Sequence, residues 1–421
     1  MKRQIFHGLM LVVAGCWNLA LAQNWQADSL TPSDFPICVD QEVLLERFKE
    51  VKLIGMGESS HGTREFFQMR NALTAFLIEK AGVKAIYVEA ANLKMEGLNR
   101  YVMGDTITLD SAFRQLNRWV LTVESMKEFV EWLREYNSGQ PAEEKVQLMG
   151  IDQDNYQDAG ARLLTCWGVL NSEAPGTAML HQRLLLNKRA TAFQLAKGMD
   201  ADEIKSHESL LDSLSLVIEE LSVDTAHQET WEELSYHIAN LQGVWRYAVA
   251  SKKSAGRGYV TVRDPGMARN TMSRLKQLAP GERAVLWAHN EHIETGTMRL
   301  QGMGHFIQQA IGEKYYALGM DFVKGSCTVF SPEQKKLVPQ AFEHPKKGPS
   351  KAFPKSETCA MWIDLKDHPQ FAQSKIRIHD VPAVMLKNQQ QGIELIFPGE
   401  HFDGLLLVPV STPTQWINVF E

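Results

Sequence analysis

Apolar and polar positions along the first third of the chain alternate between two rhythms. Val51–Met56 is a short apolar run of the kind that becomes a buried strand. Thr63–Lys80 then places Phe66, Met69, Leu73, Phe76 and Leu77 on one face of a helix. Lys84–Val88 predicts a second strand, with Gly82 as the turn before it. Val123–Asn137 repeats the helical spacing through Val123, Met126, Val130, Leu133 and Tyr136, and Lys145–Met149 predicts a third strand. Strands separated by amphipathic helices predict an α/β fold, a mainly parallel sheet flanked by helices on both faces.

The rhythm breaks between residues 156 and 253. This stretch is long, polar and helix-periodic, with charged runs such as Asp200–Lys205. It predicts a large helical insertion, a cap expected to roof the site. The α/β pattern then returns. Asp264-Pro265 predicts a helix start, Arg283–Ala288 a buried strand, Met298–Gly312 a helix and Tyr315–Met320 another strand. Shorter strands such as Leu405–Val410, and loops such as Pro345–Pro354, complete the chain. The organisation predicted is a leader over 1–22, core halves over 23–155 and 254–421, and the insertion over 156–253.

Composition changes this picture at the N-terminus. Lys2 and Arg3 precede an apolar run from Ile5 that closes on Ala20-Leu21-Ala22, the pattern of an exported precursor cleaved before Gln23. Val13-Ala14-Gly15-Cys16 offers a lipoprotein signal as the alternative, with a lipid anchor at Cys16. No later stretch is long and apolar enough to span a bilayer. With 44 basic and 50 acidic side chains the chain has no electrostatic footprint for nucleic acid. Cys38, Cys166, Cys327 and Cys359 are too scattered for a Cys-x-x-Cys motif, and their pairing is open.

Candidate chemistry sits where the strands end. The first predicted strand runs into Gly57-Glu58-Ser59-Ser60-His61-Gly62, the second into Glu89, the third into Asp152, the next into His289-Asn290-Glu291-His292, and the last into Asp321. In a parallel sheet those ends share one edge, where ligand sites form. Glu58 and His61 alone could be loop residues capping a helix, and His289 alone a satisfied core histidine. Glu89 leaves a buried strand, where an unpartnered carboxylate is costly. Several familiar sites are absent. Ser60 stands where a dinucleotide fingerprint needs glycine, and no lysine-bearing phosphate loop is present. His61 stands where a serine-hydrolase elbow needs glycine, and His-Glu-x-x-His does not occur.

Gly57-Glu58-Ser59-Ser60-His61-Gly62-Thr63-Arg64-Glu65-Phe66-Phe67 followed by Val88-Glu89-Ala90 resembles the signature of the erythromycin esterase family. Trp132–Asn137, Gly150-Ile151-Asp152, Arg263-Asp264 with Met267 and Asn270, Trp287-Ala288-His289-Asn290 with His292, Phe402–Leu406 and Ser411-Thr412-Pro413 extend the likeness over roughly Val51 to Pro413. The resemblance implies hydrolysis of a small-molecule ester, in the named case a macrolactone, by water rather than through an acyl-serine. On that reading His61 is the general base and Glu58 or Glu89 orients it or holds the water. His289 and Arg263 stabilise the carbonyl oxygen. Arg64, Asn290 and His292 are candidates to bind substrate. No cofactor is required, although Glu58, His61, Glu89 and His289 could ligate a divalent metal. Two other functions stay open, acyl modification of a surface polysaccharide and metal-dependent hydrolysis.

Overall fold

The computed structural model describes residues 24–25, 37–170, 192–221, 223–254, 258–296, 301–342, 359–385 and 392–419. The leader, Cys16, the loop Pro345–Pro354 and the start of the Met298–Gly312 helix lie outside them.

Strands are numbered in chain order. β1 (Asn24–Trp25), β2 (Ile37–Cys38), β3 (Leu53–Met56), β4 (Val83–Ala91), β5 (Gln147–Asp152), β6 (Arg283–Trp287), β7 (Tyr315–Ser331), β8 (Lys336–Phe342), β9 (Ala360–Asp364) and β12 (Gly404–Ser411) form one sheet. β10 (Ile376–His379) and β11 (Ile393–Ile396) form a separate hairpin. The centre of the large sheet, in the order β12-β7-β3-β6-β4-β5, is wholly parallel, as the alternating pattern predicts. Among the described residues of this sheet, antiparallel pairs occur only toward β8, β9 and β1.

Alternation along the central strands divides the core in two. Ile54, Met56, Ile86, Val88, Val285 and Trp287 pack on one face with the helices Arg64–Ala81, Asn92–Met103 and Glu124–Ser138. Leu53, Ala85, Tyr87, Ala284 and Leu286 pack on the other with Gly258–Leu275 and Met303–Ile311. A period of two in a strand forces this split, and both faces are covered. Gly82, with φ +68°, ends the first long helix in a left-handed turn, which lets the chain enter β4.

β4 and β5 run longer than the sequence indicates, and their register shifts between Val88 and Ala91. Gly150 makes that irregularity possible, because a Cβ there would stand 2.4 Å from the Ala90 carbonyl oxygen. β7 also continues well past Asp321, its second half pairing with β8. The Asp264-Pro265 expectation fails: the helix starts at Gly258 and carries Pro265 inside it. Asp264 is not a cap. It is fully buried and accepts from Met303 N–H at 2.9 Å, so tertiary contacts outweigh the local signal.

The described residues between Tyr156 and Ser254 are mainly helical, as expected, and have an apolar core of their own around Leu163, Trp167, Leu214, Leu241 and Trp245. A disulfide joins Cys38 in β2 to Cys359 beside β9, across 321 positions of sequence. Cys166 and Cys327 are free and buried.

Candidate active site

The loop after β3 presents His61 from the N-terminal end of the Arg64–Ala81 helix. Its Nδ1 lies 2.8 Å from Glu58 Oε1. Behind Glu58 stands Arg70, whose Nη2 is 2.7 Å from Glu58 Oε2, an ion pair off-line for a hydrogen bond. Arg70 is 2% exposed, and its guanidinium lies over the rings of Phe67 at 4.7 Å and Trp287 at 5.4 Å. Burial opposes charge on Glu58, but Arg70 and His61 outweigh it and hold the carboxyl below its ordinary value. An ionised Glu58 accepts Nδ1–H, which leaves Nε2 of His61 with its lone pair.

A second network joins the ends of β4, β5 and β6. Arg263 donates from Nη2 to Glu89 Oε1 at 2.7 Å and to Asp152 Oδ2 at 2.8 Å, and from Nε to Asp152 Oδ1 at 3.0 Å. Glu89 Oε2 accepts the backbone N–H of His289 at 3.0 Å. His292 lies between two carboxylates, Nδ1 at 2.7 Å from Asp264 and Nε2 at 3.4 Å from Glu89. Burial resists its charge, yet Glu89 and Asp264 push its pKa up to about 10. Nε2 also lies 2.9 Å from Arg263 Nη1, a contact only a neutral ring could accept. Asp264 and Glu89 both face the ring and favour the imidazolium, so we assign the Nε2 proton to Glu89. Glu89 itself is held well below its ordinary value, His292 and Arg263 overcoming burial.

His289 behaves in the opposite way. Burial, helped by His61, lowers its pKa to about 4, so it is neutral. The backbone N–H of Glu291 points to its Nδ1 at 3.5 Å, and its Nε2 is buried without a hydrogen-bond partner. The rings of His61 and His289 are 4.9 Å apart. Both open on a cavity of ≈ 450 Å³ lined also by Glu89, Arg118, Arg263, Glu291 and His292. The opposite wall is Asp380, Pro382–Met385 and Gly392, from the loop of the β10–β11 hairpin. The helical segment 156–253 is expected to roof the site, but among the described residues none of it lines the cavity, and the hairpin loop does.

His61, Glu89, His289, Arg263 and His292 are thus brought together, with Glu58 directly behind His61. Arg64 and Asn290 do not line the cavity. Asn290 exchanges hydrogen bonds with the backbone of Met320, at 2.8 and 3.1 Å, and ties β6 to β7. Asp321 also turns away, binding Ser59 Oγ at 3.1 Å and His379 Nδ1 at 2.8 Å. Glu58, His61, Glu89 and His289, which could ligate a divalent metal on sequence grounds, do not lie at mutual metal-ligand spacing. Among the described residues that spacing belongs to His289, Glu291 and Asp380, whose ligand atoms lie within 4.8 Å of one another. Arg70, Arg118 and Asp380 escaped the sequence reading. Arg70 alone carried a signal, since it falls on the apolar stripe between Phe66 and Leu73.

Buried charge networks at the C-terminal edge of a parallel sheet, two apposed histidines and an open cavity define a hydrolase-type centre. The erythromycin esterase family model matches residues 78–410. The chain belongs to the erythromycin esterase family and is an ester-hydrolysing enzyme. It is 26% identical over 318 residues to erythromycin esterase type II of Escherichia coli, covering 68% of this chain and 72% of that protein. Three solved structures share the fold. A Bacillus cereus protein superposes with TM-score 0.76 at 16% identity, over 90% of this chain and 93% of its own. A succinoglycan biosynthesis protein gives 0.72 at 14% identity, over 92% and 96%. A histidine-to-asparagine mutant of the erythromycin esterase EreC in its open conformation gives 0.67 at 16%, over 90% and 95%.

Proposed function

We propose that this chain is an exported hydrolase that cleaves an ester or lactone with water activated by His61. The observation that carries this reading is the Glu58–His61 contact of 2.8 Å, backed by Arg70. It orients the ring and keeps Nε2 ready to accept a proton. As water attacks the acyl carbon, Nε2 takes its proton and the carbonyl oxygen becomes an oxyanion. His289 supports that oxyanion with a neutral, otherwise unpartnered Nε2–H, and the charges of Arg263 and His292 add to the field. The tetrahedral carbon then expels the alkoxide, His61 returns the proton to it, and an acid and an alcohol leave.

A serine nucleophile fits poorly. Ser59 Oγ donates to Asp321, Ser60 Oγ lies 2.6 Å from Thr63 Oγ1, and neither lines the cavity. His61→Ala is expected to lower kcat ~100-fold or more with the melting temperature retained. Ser59→Ala with Ser60→Ala is expected to cost under ~10-fold and about 1 kcal/mol of stability per lost hydrogen bond. A covalent acyl-enzyme trapped on either serine would overturn the reading. The grouping of His289, Glu291 and Asp380 favours a metal-dependent variant as the second reading. Inactivation by chelation, reversed by a divalent ion, would establish it.

Export rests on the leader over residues 1–22, with lipidation of Cys16 as the alternative. A disulfide between Cys38 and Cys359 suits an oxidising compartment. A Met1 N-terminus on protein from the native host would overturn both routes.

A further inference from the structure

We propose that the cavity takes esters bearing a carboxylate on the part of the substrate that does not react, and that Arg118 reads it. This rests on the hydrolase reading and names its substrate class.

Arg118 stands between the helices Leu109–Leu116 and Glu124–Ser138 and lines the cavity. Its backbone is pinned, the carbonyl accepting the N–H of Leu121 and both the N–H and the hydroxyl of Thr122. Its side chain differs from that of the cavity's other arginine. Arg263 is committed to Glu89 and Asp152. No carboxylate among the described residues pairs with Arg118, and its Nε is buried without a hydrogen-bond partner. Asp152 feels its charge but is already held by two donors of Arg263. A guanidinium is a planar fork of donors matched to a carboxylate, and leaving its buried Nε–H unpaired is costly. The ligand this position lacks is an anion.

The remaining charges direct that anion. Glu291 and Asp380 gather at His289, beside the reacting end, and repel a carboxylate there. Arg118 attracts it on the Asp152 side. Pro382, Ala383, Val384 and Met385 also line the cavity and offer an apolar wall for a short aliphatic connection. One orientation results, with the ester carbonyl toward His61 and His289 and the anion toward Arg118.

The test compares p-nitrophenyl hydrogen adipate with p-nitrophenyl hexanoate, esters of equal chain length differing by one carboxylate. The full chain is expected to prefer the anionic ester in kcat/KM by at least ~10-fold, mainly through KM. Arg118→Gln should cut that ratio at least ~10-fold, and Arg118→Lys should fall between. Calorimetric titration with adipate reads the same site without turnover and should weaken by a similar factor in Arg118→Gln. Absence of an anionic preference in the wild type overturns the proposal even if a variant fails to fold. So does a ratio within two-fold of wild type in a folded Arg118→Gln protein. If neither ester is cleaved but adipate binds in an Arg118-dependent way, the anion site stands and the hydrolase reading falls. If neither ester is cleaved and adipate does not bind, both fall.

Discussion

His289 and His292 stand three residues apart in one turn after β6, both buried, yet their surroundings drive them to opposite charge states. On the His289 side burial dominates, a second histidine adjoins, and the pKa drops to about 4. On the His292 side Asp264 and Glu89 face the ring and the pKa rises to about 10. Desolvation acts on both rings in the same direction; Asp264 at 2.7 Å and Glu89 at 3.4 Å overcome it at His292, whereas Asp380, 3.8 Å from His289, does not. The cavity thereby gains a neutral donor and a permanent cation from one residue type.

Removing the cation that holds the charged side together should break this comparison most severely. Arg263→Met strands Glu89 and Asp152 as buried carboxylates, and a loss of about 3–5 kcal/mol is expected in chemical unfolding. A loss below ~1 kcal/mol would show that the network does not need Arg263.

The two histidines also predict opposite limbs in the pH dependence of stability. His289 is depressed when folded, so between about 6.5 and about 4 the unfolded chain binds the extra proton. Stability is therefore lost as pH falls through that window. His292 is raised when folded, so its contribution is complete below about 6.5 and is lost as pH rises through about 10. Each limb should be worth on the order of 1–3 kcal/mol in unfolding at stepped pH. Loss of the acid limb in His289→Gln, with the alkaline limb kept, would assign them.

The smallest expected effect sharpens the alkaline side. Asp264→Asn removes one of the two carboxylates facing His292 and should move its titration down by about one unit, followed through its ring resonances by NMR. No movement would leave Glu89 as the sole source of the shift.

Much of this site is legible in the chain because the parallel sheet converts sequence ends into spatial neighbours. Glu89 and His289 directly follow apolar runs, and Glu58 and His61 sit in the short loop after another, so placing the runs side by side places them together. Arg70 was missed although it is a charged residue on an otherwise apolar stripe, because its partner Glu58 lies in a different element. Asp264 shows the limit: its local context resembles a helix cap, and only packing against Met303 and His292 gives it another role.

The amino-acid sequence by itself determined the parallel α/β core, the helical character of the described residues within 156–253 and the convergence of four polar strand ends, because periodicity and strand direction are local properties. Tertiary structure alone decided that the β10–β11 hairpin walls the cavity, that Cys38 meets Cys359, and that Asn290 serves the fold. It also decided which histidine is charged. Those outcomes depend on distances between residues up to 321 positions apart and on the water they exclude, quantities that no local pattern encodes.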